Sequence, residues 1–209
     1  MLGGRLSMRI DGIDEELAQH DFVFVDAGAP HSLDNRGSDT VRWYEVGAPL
    51  ASEDRPDADF PGRAWEPDAA GTAYRRGRFD DRDLPPPSDT IGLAGFGAAH
   101  VGGASLKMLV DREFGASQFN LFVLEYVPGG LIRPHDHPFE ESFFFLEGEI
   151  EADLGGTTHV LRAGDYCWSG PASVHGFANR TQAPTRWLET QVPQPPSRYQ
   201  ARFRADWAS

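Results

Sequence analysis

Displaced against itself by 144 positions, the sequence matches without a gap. His31 falls on His175, Asn35 on Asn179 and Arg36 on Arg180. Arg42, Trp43 and Glu45 fall on Arg186, Trp187 and Glu189, while Gly4, Gly12, Asp21 and Pro49 fall on Gly148, Gly156, Asp165 and Pro193. A register kept over about fifty residues is the mark of a duplicated unit, and it requires both copies to bury the same pattern. That pattern is β. Residues 6–10 alternate and stop at Asp11-Gly12, and residues 148–154 stop at Gly155-Gly156 before returning over 157–161, both two-residue hairpin signals. Residues 22–25, 41–46, 105–110, 118–127, 166–168 and 186–192 read as further strands. No stretch carries a long 3.6-residue apolar period, so the expected fold class is all-β.

The repeat also divides the chain. Residues 1–49 form a partial N-terminal copy, residues 101–195 a complete one, and 196–209 a C-terminal tail. Between the copies, residues 50–100 are dominated by Asp, Arg, Pro, Gly and Ala; they read as a linker that wraps over a surface, anchored by Trp65, Tyr74 and Phe79. The displacement sets Met1 on Phe145, just past the stretch where the second copy carries two histidines and a glutamate. Either the first copy has lost half its strands or a matching strand lies upstream. Because the match runs to the first residues without decay, an in-frame strand upstream of the Met1 codon is the expectation.

Composition narrows the setting. Hydrophobic residues make up 40% and aromatics 11%, enough to core one large domain or two small ones. The 23 glycines and 16 prolines favour many turns and short strands. A net charge of −13 argues against a nucleic-acid or anionic-membrane surface, where phosphates require Lys and Arg. No apolar run approaches the ~20 residues of a membrane span. The first residues lack the charged flank, apolar run and cleavage site of a signal peptide. A single cysteine, Cys167, excludes an internal disulfide. A cytoplasmic protein is expected.

The chemistry gathers between Gly129 and Asn179. Alternate side chains of a strand share a face, so His135 and His137 point one way and Asp136 the other. Glu141 follows after a Pro138-Phe139 bend, Phe143 and Phe145 share its parity, and His175 arrives from a later strand. Three imidazoles and one carboxylate suit a divalent first-row ion such as Fe(II), Mn(II), Ni(II), Co(II), Cu(II) or Zn(II). Four protein ligands leave positions open on a five- or six-coordinate ion, which gives the site a catalytic form. Three further residues are candidates for acid, base or substrate-binding roles: Arg133, with the parity of His135, and Tyr126 and Glu125 on the preceding strand, of which one faces inward. Trp168, Phe177 and Cys167 read as packing residues, and Asn35 and Asn179 as turn or strand-pairing residues. The Arg-Trp-x-Glu repeat reads as structural.

These spacings resemble a known family. Gly129, His135-x-His137, Glu141 and Gly148 match the first motif of the cupins, and Gly164, His175 and Asn179 match most of the second. The chain is similar to a bicupin whose first half is incomplete. One departure lies before His175, where Gly170 and Ala172 stand around Pro171 in place of a Pro-x-Gly turn. The resemblance implies a cupin double-stranded β-helix (a jelly-roll barrel) around one metal ion held by His135, His137, Glu141 and His175, with Fe(II), Mn(II), Ni(II) or Zn(II) as candidates. His31, Asp26, Gly28 and Asn35 resemble the second motif alone; without ligand partners, His31 is expected to be a vestige. For function, the resemblance implies an enzyme on a small organic acid, enol or diketone-like substrate, with dioxygenase chemistry foremost. Non-oxidative decarboxylase, isomerase or hydrolase chemistry, or small-molecule binding without turnover, stands as the alternative. A small-molecule substrate is the expected partner, with no nucleic acid and no membrane, and a homodimer is allowed.

Overall fold

The computed structural model describes residues 1–47, 73–89, 100–195 and 201–204. They fall into two compact units, one of residues 1–81 with 113–116, the other of 82–112 with 117–209. The described residues contain strands and a single 3-10 turn at Asp81–Asp83, and none of their helices is long and apolar enough to cross a membrane. The all-β expectation therefore holds.

The first unit holds β1 (Leu6–Ile10), β2 (Ile13–Leu17), β3 (Asp21–Val25), β4 (His31–Asp34) and β5 (Tyr74–Arg78). The second holds β6 (Val101–Val110), β7 (Asn120–Asp136), β8 (Glu140–Glu147), β9 (Glu149–Leu154), β10 (Thr157–Arg162), β11 (Tyr166–Ser169), β12 (His175–Ala178), β13 (Thr185–Val192) and β14 (Arg202–Phe203). All nine join one sheet in the order β10-β9-β12-β7-β13-β8-β11, with β6 and β14 also on β7. The sheet curls as a jelly-roll barrel around a core that includes Phe122, Phe143, Phe145, Ile150, Phe177 and Trp187.

Strand β7 organises the barrel. Its first half pairs with β13, from Asn120↔Gln191 to Tyr126↔Thr185, and its second half with β12, Leu131↔Ala178 and His135↔His175. The change of partner comes at Pro128-Gly129-Gly130, where Gly129 takes φ 81° and turns the strand from one face of the barrel to the other. A bulge follows: Ile132 lies opposite Phe177 but His135 opposite His175, so one extra β7 residue is taken up around Arg133-Pro134. The close approach needs a bare backbone on β12, since a Cβ on Gly176 would lie 2.9 Å from the Pro134 nitrogen.

The hairpin of the first unit and its partner strand repeat the pairings of the second. Leu6 pairs with Leu17 as Ile150 does with Leu161, and Ile10 with His31 as Leu154 does with His175. Positive φ recurs at the same displacement even where the residues differ: Asp11 (46°) and Gly155 (63°), His20 (73°) and Gly164 (91°), Gly28 (81°) and Ala172 (60°). In both copies the indole of Trp43 or Trp187 donates to the glutamate two residues on, at 3.0 Å. Leu6, Met8, Ile10 and Leu17 form this unit's own small core.

Two expectations are corrected. Residues 41–46 form no strand beyond a Gly3↔Arg42 bridge. Their counterpart β13 is a strand because β7 and β8 flank it; among the described residues, unit 1 has no counterpart of β7. The interval expected to be a wrapping linker contributes β5, which pairs with β3 from Asp21↔Arg78 to Val25↔Tyr74. In the repeat register β5 stands where β8 stands against β11, and Tyr74 occupies the place of Glu141. Its hydroxyl donates to Glu15, and Phe79 is buried, so both anchors hold; Trp65 and Pro49 lie outside the described residues.

Candidate metal centre

The site is assembled from three strands and the turn between two of them. His135 is the penultimate residue of β7 and His137 lies just past its end, Glu141 is the second residue of β8, and His175 opens β12. All four side chains are buried. One ring nitrogen from each histidine lies within 4.8 Å of those of the other two. Glu141 joins them, its Oε2 2.8 Å from Nε2 of His175 and its Oε1 3.3 Å from Nε2 of His137. Asp136 points outward as its parity requires and meets the Arg202 guanidinium, with Nε 2.9 Å from Oδ1.

The tautomers are set from outside. His135 Nδ1–H donates to the Arg133 carbonyl at 2.8 Å, and His175 Nδ1–H to the Ser173 carbonyl at 3.0 Å. Each bond turns Nε2 toward the cluster, the atom that a metal would take in place of a proton. Burial and then the neighbouring His175 and His137 hold His135 well below the ordinary imidazole value. Burial alone would raise Glu141; the three imidazoles outweigh it and hold the carboxyl at about 2. For His175 burial opposes charge, but the hydrogen bond and charge of Glu141 prevail and raise it. Three imidazoles beside a carboxylate are the donor set a divalent cation takes, so the residues fit such an ion.

Beyond the histidines lies a cavity of about 20 Å³, which is room for about one water molecule. Its walls are apolar, with Phe122, Leu124, Ile132, Phe143, Phe177 and Trp187 around it. Three polar side chains also face it: Tyr126 from β7, and Glu189 and Gln191 from β13. Gln191 Nε2 donates to Glu141 Oε1 at 2.9 Å, and the Trp187 indole donates to Glu189. Burial, then the charge of Glu141, pushes the Glu189 carboxyl well above the usual range. Among the described residues the Tyr126 hydroxyl and Gln191 Oε1 are buried without a hydrogen-bond partner, each a cost of about 1–3 kcal/mol.

Residues 122–190 match the family model described as the cupin domain. The chain carries a cupin domain. Among solved structures, the polyketide cyclase RemF from Streptomyces resistomycificus is similar at 24% identity, with 61% of this chain and 84% of that one covered and a TM-score of 0.50, and it shares the fold. A sugar phosphate isomerase of a cupin superfamily from Silicibacter pomeroyi is similar at 25% identity over 57% and 77% of the two chains, with a TM-score of 0.47. A predicted oxalate decarboxylase from Thermotoga maritima is similar at 18% identity over 53% and 91%, with a TM-score of 0.44. No protein among the curated ones matches.

Within the cupin domain the four ligands expected from sequence come together. Of the other three candidates only Tyr126 faces the cavity. Glu125 has the opposite parity and pairs with Arg186, Oε2 to Nη2 at 2.6 Å. Arg133 lies on the bulge, where the alternation slips, and is exposed. Phe177 lines the cavity, whereas Trp168 is exposed and Cys167 packs half-buried against the core. Asn179 ties its turn, donating to the carbonyls of Tyr126 and Ala183 at 3.0 and 2.8 Å.

Sequence reading missed Glu189, Gln191 and Phe203. The first two were within reach: Trp187 is an inward anchor, and residues 189 and 191 share its parity. Phe203 had no such signal. It lies on β14, in the stretch expected to be a tail, and stacks on His100 at 3.9 Å and on His135 at 5.2 Å between ring centroids. His31 is exposed in its own unit, and the position of a carboxylate partner is taken by Tyr74.

Proposed function

We propose that the cupin domain binds one divalent metal ion through His135, His137, His175 and Glu141 and is an enzyme acting on a small enol, diketone-like compound or organic acid, with dioxygenase chemistry the leading reading. The observation that carries this is the convergence of three buried imidazole nitrogens within 4.8 Å at the wall of an aromatic cavity. An ion such as Fe(II) or Mn(II) supplies Lewis acidity and, where redox-active, electrons for oxygen chemistry. The chain's own residues do the rest. The carbonyls of Arg133 and Ser173 fix two of the imidazoles, and Gln191 fixes Glu141. Phe143, Phe177 and Trp187 exclude water, so polar contacts made inside act in a low dielectric.

Glu189 and Tyr126 support a second reading. They place groups able to carry a proton at the cavity wall, as an isomerase or decarboxylase requires. Oxygen uptake separates the two. Chain loaded with Fe(II) should consume oxygen with one of a panel of diketones, catechols and hydroxy acids. Substrate turnover without oxygen uptake would establish the non-oxidative reading, and no uptake across the panel would count against the dioxygenase. We place the protein in the cytoplasm, with a small molecule as its partner. The first unit we read as a partial cupin repeat without a metal.

A further inference from the structure

We propose that the cavity selects a substrate that enters uncharged and carries a carbonyl beside a hydroxyl, as the enol form of a β-diketone does, and that Tyr126 and Gln191 read those two groups. This rests on the metal-enzyme reading and narrows its substrate class. Two observations carry it. The first is the pair of unsatisfied polar atoms. The Tyr126 hydroxyl and Gln191 Oε1 are both buried, line the same cavity and have no partner among the described residues. Such groups in a native interior call for an explanation, and a ligand that completes them is the direct one. The hydroxyl offers a donor to a carbonyl oxygen; the amide oxygen offers an acceptor to an O–H.

The second observation is charge. Among the described residues no Lys or Arg lines the cavity, and its two acidic side chains are Glu141 and Glu189. One carboxylate of an acid substrate could find the metal. A second carboxylate would meet aromatic faces, the acceptor oxygen of Gln191 and a neighbouring acidic side chain, with one hydroxyl, that of Tyr126, and no cation to compensate its desolvation. Sites that recognise dicarboxylates hold an Arg fork for that purpose, and the one arginine that the sequence suggested, Arg133, is exposed. The room available is about that of one water molecule, so side chains must give way and the ligand must be small.

The test uses two probes of the same skeleton. Acetylacetone and malonate differ in that the two methyl groups of the first are replaced by the carboxylate oxygens of the second. Both are titrated calorimetrically into the full chain, metal-free and loaded with redox-silent Zn(II), with metal content measured alongside. Acetylacetone should bind at least about tenfold more tightly than malonate, and Tyr126→Phe should weaken acetylacetone about tenfold while leaving metal content unchanged. Malonate binding as tightly as acetylacetone, no binding of acetylacetone to either form, or an unchanged affinity in Tyr126→Phe overturns the proposal. Failure to take up Zn(II) sinks the metal reading instead, and the preference between the probes is then read on the metal-free chain.

Discussion

Cys167 shows how the centre's charges reach a residue outside the ligand set. Burial first, and then the negative charges of Glu189, Glu141 and Asp165, push its thiol up to about 12. At pH 8 about one thiol in ten thousand is then ionised, because each pH unit below the pKa is a factor of ten. Iodoacetamide should label Cys167 in the native chain at least about a hundredfold more slowly than in urea, and comparable rates would refute the assignment. Asp21 in the first unit is shifted the other way. Burial raises it, but the Ala18 N–H, Arg76 and Arg78 together outweigh burial and hold it below its ordinary value of 3.8. Its folded pKa lies below its unfolded one, so its contribution to stability is present above the unfolded value and is lost as pH falls through the lower, folded one. The exchange protection of β1 and β3, corrected for the intrinsic pH dependence of amide exchange, should therefore fall as pH drops below about 4. Asp21→Asn should flatten that dependence, whereas substitution of exposed Asp14 should leave it in place.

At the scale of elements, the junction of β7 and β12 decides whether the ligands meet. An added Cβ at Gly176 would lie 2.9 Å from Pro134 N and 3.1 Å from Ile132 O, both backbone atoms that cannot swing aside. Gly176→Ala should cost about 1–3 kcal/mol and lower metal affinity by moving His175 from His135. Ser32, its counterpart in the repeat, lies on exposed β4, and Ser32→Ala should be neutral within about 0.5 kcal/mol. Chemical denaturation of the two variants checks both; equal effects would refute the account. The same junction shows what the sequence could disclose. The hairpins at 11–12 and 155–156, the paired registers and the inward set His135, His137, Glu141 and His175 follow from turn chemistry and a two-residue period. The placement of Arg133 does not, because a bulge changes the parity on which the reading depended. Residues 41–46 have the pattern of a strand but lack the partners that made β13 one. β5 and β14 read as linker and tail because neither falls within the 144-residue displacement or carries a long alternation to reveal it.

For the whole molecule, one duplicated strand set supports two different outcomes. In the second unit β7 and β8 complete a barrel, bury three imidazoles and enclose a cavity. In the first unit the duplicated strands β1 to β4 keep their register, turns and Trp–Glu contact, but His31 stays exposed and Tyr74 stands in the carboxylate position. The repeat thus preserves what the backbone needs, while the chemistry resides in one copy. Metal binding should accordingly depend on the second unit alone. The most direct measurement is the metal content, by elemental analysis after equilibration with one equivalent of Zn(II) or Fe(II), of the native chain and of His135→Ala, His137→Ala, His175→Ala and His31→Ala. The native chain and His31→Ala should each retain close to one ion, and the other three should bind at least about tenfold more weakly. Loss of metal in His31→Ala, or its full retention when any of the other three histidines is removed, would contradict a single centre built on His135, His137, Glu141 and His175.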